Sequence, residues 1–426
     1  MKSHHVFFGL MAFSSATTLG KSGILAAILP PLDFAHYSAA FALVGAIASV
    51  LSFGLVEGMV KKFTRLVAYG RADELRATLG SDARRLAWRH VAALGVVLLI
   101  TFVVYGRWLL APAAALVVLA FAANAFAISA SLFRAYDRLV GLGMSATIRA
   151  VLALAFSAAF SAAIGWQGGL SAEAVSSALV GLAFLYYSRA IIRSEAMSST
   201  SSEESVDAFI SGRSDGVWLF AAFGLALVPV SFDRLWIVHF SLPVSAAQYA
   251  FCGIWISAAF TMTSVYVQKL GPDFIRMRAA VESPSILRMS LRHACRLSLL
   301  MAAGAAASFV VLHLIWYDGF WLKYQLSIIV VVGTLATLSV QVTPVFDWAL
   351  IALDGERGVF VGAALFFGSC TAFFAISAYL QLGFTAYMLS FGCARAIQAI
   401  AEVVMISRLE RLSSAGYRIT VAGSRQ

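Results

Sequence analysis

Charge is what this sequence has least of. Only 12% of its 426 residues are Asp, Glu, Lys or Arg, against about 25% in soluble domains. With 61% hydrophobic residues and a mean hydropathy of +0.86, a water-soluble core cannot absorb the apolar surface. Strict polar–apolar alternation is also lacking, and that excludes a transmembrane β-barrel. No Walker A pattern, HExxH or paired CxxC occurs, so no built-in ATPase, zinc protease or zinc ribbon is expected. The four cysteines, Cys252, Cys295, Cys370 and Cys393, have no metal-ligand spacing and are read as small apolar residues of helices. No outward-facing loop is large enough for a catalytic domain. The chain is therefore expected not to be an enzyme and to hold neither cofactor nor metal.

What remains is a series of long apolar runs. A bilayer core takes about 20 apolar residues per helical span, and backbone groups in lipid must bond within their own segment. Helices are expected at 6–30, 36–60, 89–106, 109–133, 140–164, 172–194, 214–240, 245–268, 291–316, 323–350, 358–381 and 384–407. The fold class follows: an all-α polytopic membrane protein of about twelve transmembrane helices. The first run continues for a full span behind a short polar start, so it reads as a retained helix.

The connecting segments fall into two sets. One holds 25 of the 31 Lys and Arg residues, eight of them between Lys61 and Arg89 and six between Lys269 and Arg296; the other holds only Arg107 and Lys323. Cytoplasmic loops carry the basic excess, which places both termini in the cytoplasm and explains the net charge of +10 without nucleic acid. The basic stretch 61–89, with Leu66, Leu75, Leu79 and Leu86 among its charges, fits either a short amphipathic helix on the anionic inner leaflet or a solvated connector.

A polar, acidic segment divides six helices from six. The expected organisation is an N-terminal lobe at 1–194, a flexible linker at 195–213, a C-terminal lobe at 214–407 and a tail at 408–426. Six is even, so both lobes enter the membrane from one side as parallel repeats. Leu29-Pro30 before Tyr37 and Leu242-Pro243 before Tyr249 are a trace of that repeat.

Four basic residues stay within the spans: Lys21, Arg149, Arg234 and Arg395. Four acidic ones lie in or near them: Glu57, Asp233, Asp347 and Glu402. Each charge at a helix centre costs about 2.5–3.5 kcal/mol, so such residues turn to a bundle interior or a watery cavity. Polar stripes at helical spacing accompany them. They are Ser14 and Thr18 with Lys21; Ser257, Thr261, Ser264 and Gln268; Thr334, Thr337 and Gln341; and Gln398 between Arg395 and Glu402. A shared polar cavity is one reading. Helix-gluing hydroxyls, cross-helix ion pairs and reach to the interface (for Glu57 and Asp347) are the others. Pro229 and Pro344 are expected to kink their helices.

Four features resemble the Wzx-type polysaccharide-transport flippases of the multidrug/oligosaccharidyl-lipid/polysaccharide exporter (MOP) superfamily. They are the turn from Leu29 to Phe41, the long basic loop after the second helix, Phe133-Arg134-Ala135-Tyr136-Asp137-Arg138, and Val230-Ser231-Phe232-Asp233-Arg234. The resemblance implies two MATE-like six-helix lobes, alternating access and an undecaprenyl-diphosphate-linked oligosaccharide as substrate, in the bacterial inner membrane. Lys21, Arg149, Arg234 and Arg395 would then answer the diphosphate. The polar lining (Ser14, Thr18, Ser257, Thr261, Gln268, Gln341, Gln398) would meet sugar hydroxyls. Asp233, Glu402, Asp347 or Glu57 would carry a coupling ion, H+ or Na+, or pair charges. A polysaccharide polymerase and a chain-length regulator are implied partners. The rival functions are a multidrug antiporter of the same superfamily and a membrane glycan polymerase or ligase.

Overall fold

The computed structural model describes residues 2–52, 55–68, 70–196, 215–279 and 285–423. Among them the secondary structure is helical throughout. In order the α-helices are α1 (Lys2–Ile28), α2 (Pro31–Ser52), α3 (Leu55–Ala68), α4 (Ala72–Tyr105), α5 (Leu110–Ala135), α6 (Leu139–Ile164) and α7 (Trp166–Ala196). There follow α8 (Asp215–Phe240), α9 (Pro243–Ala279), α10 (Ile286–Ile315), α11 (Ile328–Ser339), α12 (Thr343–Ala352), α13 (Glu356–Tyr379) and α14 (Phe384–Gly423). Ten described stretches are long and apolar enough to cross a membrane, and one of them, 72–135, comprises both α4 and α5. The expected all-α polytopic fold is present.

Three expectations are corrected. The second expected helix, 36–60, stops at Ser52, and a separate helix, α3, follows. Met59, Phe63 and Leu66 share one face of α3 and pack on Leu75, Leu79 and Leu86 of α4, Ile128 and Leu132 of α5, and Ile192 of α7. The leucines of the basic stretch therefore belong to an intramolecular core, neither a solvated connector nor a leaflet-bound face. Gly70, at φ 68°, closes α3, and the Arg71 N–H returns to the Leu66 carbonyl, a left-handed cap that glycine adopts without strain.

The helix expected at 323–350 is two helices, α11 and α12, separated at residues 340–342. Pro344 lies in the first turn of α12. There its missing N–H costs nothing, whereas a continuous helix would lose a bond and clash with the carbonyl four residues earlier. Within the expected tail the chain stays helical, since α14 runs on to Gly423. Most of the expected linker, from 197 onward, lies outside the described residues.

The chain divides into two compact units, Met1–Gly212 and Arg213–Gln426. In the first, α1 packs along α6, α6 along α7, and α5 on α7. In the second, α8 packs along α13, α13 along α14, and α11 and α12 on α14. With α3 set aside and α11 and α12 taken together, the pairing is the same in each: first helix on fifth, fifth on sixth, fourth on sixth. Turns repeat as well. Asp137 and Asp354 take left-handed backbone at φ 53° and 54°, each ending the fourth helix. The next N–H, of Arg138 or Gly355, bonds the carbonyl five residues back, that of Phe133 or Leu350, which is the Schellman pattern. Pro31 and Pro243 are the first residues of α2 and α9, so the repeat aligns Pro31, not Pro30, with Pro243. Tyr37 and Tyr249 then fall at the same place in their helices.

Candidate functional site

Two clusters of buried charge stand out, one in each unit. In the first unit, Lys21 on α1 and Glu173 on α7 form a buried ion pair. The Tyr37 hydroxyl, on α2, donates to the second oxygen of Glu173. The Lys21 ammonium lies 4.3 Å from the centre of the Phe41 ring, a cation–π contact that is stronger where water is excluded. Arg149 on α6 is half-buried; its guanidinium lies 4.7 Å from the Phe126 ring centre and feels the field of Glu173. Two cations thus share one carboxylate.

Glu173 is the residue that the sequence analysis missed. Its expected span began at 172, which put the carboxylate in the first turn, at the interface. In the structure α7 begins at Trp166, and Glu173 lies further in, at 3% exposure. The turn of Trp166, Gln167, Gly168 and Gly169 hid the true start.

In the second unit, Arg395, Gln398 and Glu402 line one face of α14, each buried. Arg395 donates to the Gln398 amide oxygen at 2.8 Å, and the Gln398 amide nitrogen donates to Glu402 Oε1 at 2.7 Å. The Arg395 guanidinium stacks 3.8 Å from the Phe366 ring centre. The break before α12 sets Asp347 beside this row, as a neighbour of Glu402 and in the field of Arg395. Gly362 on α13 makes the space, since a Cβ there would collide with Glu402 Oε1. Here two carboxyl groups share one cation.

Asp233 and Arg234 diverge, as neighbours on one helix must. Asp233 accepts a hydrogen bond from Tyr249 at 2.8 Å. Half-buried Arg234 donates to Ser257 Oγ at 2.9 Å and to the Gly253 carbonyl at 3.3 Å. A Cβ at Gly253 would crowd that guanidinium at 3.1 Å. Tyr37 and Tyr249, aligned by the repeat, each donate to a buried carboxylate.

The polar stripes are mostly bonded to backbone. Ser14 donates to the Ala146 carbonyl at 3.1 Å and ties α1 to α6. Thr18 and Thr261 are exposed but donate to Ser14 and Ser257 carbonyls of their own helices. Thr337 donates to Met388 at 2.9 Å and ties α11 to α14, while Gln341 donates back to Thr337 at 3.2 Å. The side chains of Glu57, Ser264 and Gln268 lie outside the described residues. No metal-binding group of three His, Cys, Asp or Glu occurs among the described residues.

No family model and no curated protein matches the sequence. Solved structures do match the fold. The chain is similar to the lipid II flippase MurJ in an inward closed conformation at 12% identity, covering 94% of this chain and 87% of that one, with a TM-score of 0.62. It is similar to an inward-facing multidrug resistance MATE family transporter of the MOP superfamily at 13% identity, covering 95% and 98%, TM-score 0.59. A third match is the MATE multidrug transporter DinF-BH, at 12% identity over 95% of each chain, TM-score 0.57. At such identity the likeness establishes a MATE/MOP-like fold.

Proposed function

We propose that this chain is a flippase that moves undecaprenyl-diphosphate-linked oligosaccharide repeat units across the bacterial inner membrane, by alternating access, for cell-surface polysaccharide assembly. The observation that carries this reading is the charge imbalance of the first unit's buried cluster, with Lys21 and Arg149 against Glu173 alone among the described side chains. A surplus cation inside a membrane span is costly and is relieved by an anion. A diphosphate supplies one, and a guanidinium meets its oxygens in pairs.

The two bases have different parts. Lys21 is 3% exposed, held by Glu173 and covered by Phe41, so it orders the cluster. Arg149 is half-buried as a residue and makes the phosphate contact. Half-buried Arg234, tethered through Ser257, is the second unit's anion contact, and the hydroxyls of Thr18 and Thr261 are exposed to sugar. On this reading the units are two six-helix lobes with both termini cytoplasmic, and a polysaccharide polymerase and chain-length regulator act next. A multidrug antiporter would place carboxylates where a cationic drug reaches them. The surplus carboxyl of this chain, Glu402, is fully buried, which favours the flippase.

The test uses the full chain in proteoliposomes with a fluorescent undecaprenyl-diphosphate oligosaccharide. Arg149→Ala is expected to slow flipping roughly tenfold, the worth of one charge-assisted hydrogen bond, with Arg149→Lys intermediate. Unchanged flipping in both Arg149→Ala and Arg234→Ala overturns the reading.

A further inference from the structure

Helix α4 changes character halfway along. Up to His90 it buries a residue at every turn, Leu75, Leu79, Asp82 and Leu86 among them; beyond His90 the one buried residue among those described is Thr101. Leu99, Ile100, Phe102, Val103 and Val104 are each more than half exposed. With exposed Val91 and Val96 they cover over half the circumference of a helix that has about 3.6 residues per turn. A partner helix covers a narrower stripe, whereas lipid chains reach such a surface from every side. Both ends of the stretch are marked. Trp88 is 67% exposed, and Trp108, in the single turn Gly106–Leu109 that follows α4, is 85% exposed. No Asp, Glu, Lys or Arg lies between Arg89 and Arg107. Arg84 and Arg85 are exposed one turn before Trp88, and exposed Arg107 adjoins Trp108. Along one helix the order is base, tryptophan, aliphatic residues, tryptophan, base.

We propose that α4 is clamped between the two leaflets by anionic phospholipids, with Arg84 and Arg85 meeting head-group phosphates at one end and Arg107 at the other. The interval from Trp88 to Trp108 is about 30 Å at about 1.5 Å per residue, the thickness of the hydrocarbon core. Tryptophan settles at the boundary of that core, its ring among the chains and its N–H towards water. A guanidinium just beyond it meets phosphate oxygens in pairs. Arg85 reaches Asp82 at 4.0 Å, yet its side chain stays 71% exposed, so a phosphate has access to it. No acidic residue lies between Asp82 and Asp137, so neither α4 beyond Asp82 nor α5 supplies Arg107 with a carboxylate. The clamp is separate from the buried charge clusters and does not depend on what the chain carries.

Two further observations agree on these levels. Arg89, next to Trp88, donates to the Ser52 carbonyl at 2.8 Å and to the Leu51 carbonyl at 3.4 Å. These are the last carbonyls of α2, which have no partner within their own helix. A charged group and free helix-end carbonyls meet where the apolar layer stops, and Trp88 stands at that same level. The third long helix of the second unit, α10, ends in a similar order. Exposed Leu314 and Ile315 are followed by exposed Trp316 and Tyr317, and then by Lys323. It differs from α4 in burying a continuous row of Leu297, Met301, Ala305 and Phe309. The second half of α4 has no such row, so lipid takes the place of protein around it. A second copy of the chain is the competing occupant. It would cover an apolar stripe but gives no reason for bases at both ends or for their spacing across the bilayer.

The experiment is fluorescence quenching of the full-length protein in vesicles of phosphatidylcholine and phosphatidylglycerol. Bromine is placed on the lipid chains either near the ester group or near the methyl end. The signal of each tryptophan is the difference between wild type and Trp88→Phe or Trp108→Phe; Trp→Tyr serves if a Phe variant fails to fold. Both signals are expected to be quenched more by bromine near the ester than near the methyl end, and more by either lipid than by iodide in the water. With bromine on one lipid class at a time, phosphatidylglycerol is expected to quench Trp108 more than phosphatidylcholine does. Arg107→Gln is expected to weaken that preference about fivefold, the effect of about 1 kcal/mol for one base at a lipid surface, and to leave Trp88 unchanged. Arg84→Gln with Arg85→Gln is expected to do the converse. Quenching of either tryptophan from water alone overturns the proposal. Quenching from neither phase means that a second copy covers α4, and overturns it too. So does a phosphatidylglycerol preference that is absent from wild type or survives in the arginine variants. None of these signals reads lipid flipping, so the clamp and the transport reading fail independently.

Discussion

Tyr37 and Tyr249 show how much one buried hydroxyl decides. Each lies six residues beyond the proline that opens its helix, and each donates to a carboxylate that water does not reach. A buried acceptor stripped of a donor loses about 1–3 kcal/mol. Tyr37→Phe is therefore expected to lower stability by about that amount, read as a fall in the thermal midpoint of the detergent-solubilised protein. The loss should exceed that of Tyr187→Phe, whose ring is exposed. Equal midpoints for the two variants would mean that Glu173 is held by Lys21 alone. At this scale the sequence singled out Lys21 and Arg395, both buried, but not the carboxyl groups that other helices bring to them. Lys21 is conspicuous among apolar neighbours, whereas Glu173 lies near a helix start that two glycines obscure. Nothing in the order of residues says that Asp347 meets Glu402 across two helices.

At the scale of elements, α3 is the clearest gain. Its composition suits a membrane-surface helix, with lysines beside an apolar stripe. Its stripe is instead covered by the N-terminal half of α4, because Leu75, Leu79 and Leu86 present a matching apolar face once α4 begins at Ala72. Phe63 is fully buried in that interface. Phe63→Ala should cost about 3–5 kcal/mol and expose the 61–89 stretch to limited proteolysis. If α3 bound lipid through this face, the same variant would lower membrane affinity and leave proteolysis unchanged. The α11–α12 break belongs to this scale too. Pro344 was readable as a kink, but a kink and a full break have the same sequence cue. What separates them is whether the freed groups find partners, as the Gln341 and Val345 N–H groups do at the Leu338 and Val342 carbonyls.

For the whole molecule, twelve long helices in two equivalent sets follow from hydropathy and the trace of a repeat. The positive-inside distribution predicts that cysteines introduced into the tail beyond Gly423, and others near Arg107, are labelled from opposite sides of the membrane. A tail labelled from the periplasm would reverse the orientation. Apolar run length and the bias of Lys and Arg are properties of the chain itself, because a bilayer reads them one segment at a time. So the sequence alone determined the helical class, the number of long helices and the four basic residues stranded among them. Which charges meet is a different kind of fact. Glu173 reaches Lys21 across 152 positions, and Asp347 reaches Glu402 only because α12 breaks from α11 and Gly362 leaves room. These contacts depend on helices far apart in sequence packing at one depth. That is why only the tertiary structure decided that, among the described side chains, one buried cluster sets two cations on one carboxylate and the other sets two carboxyl groups on one cation.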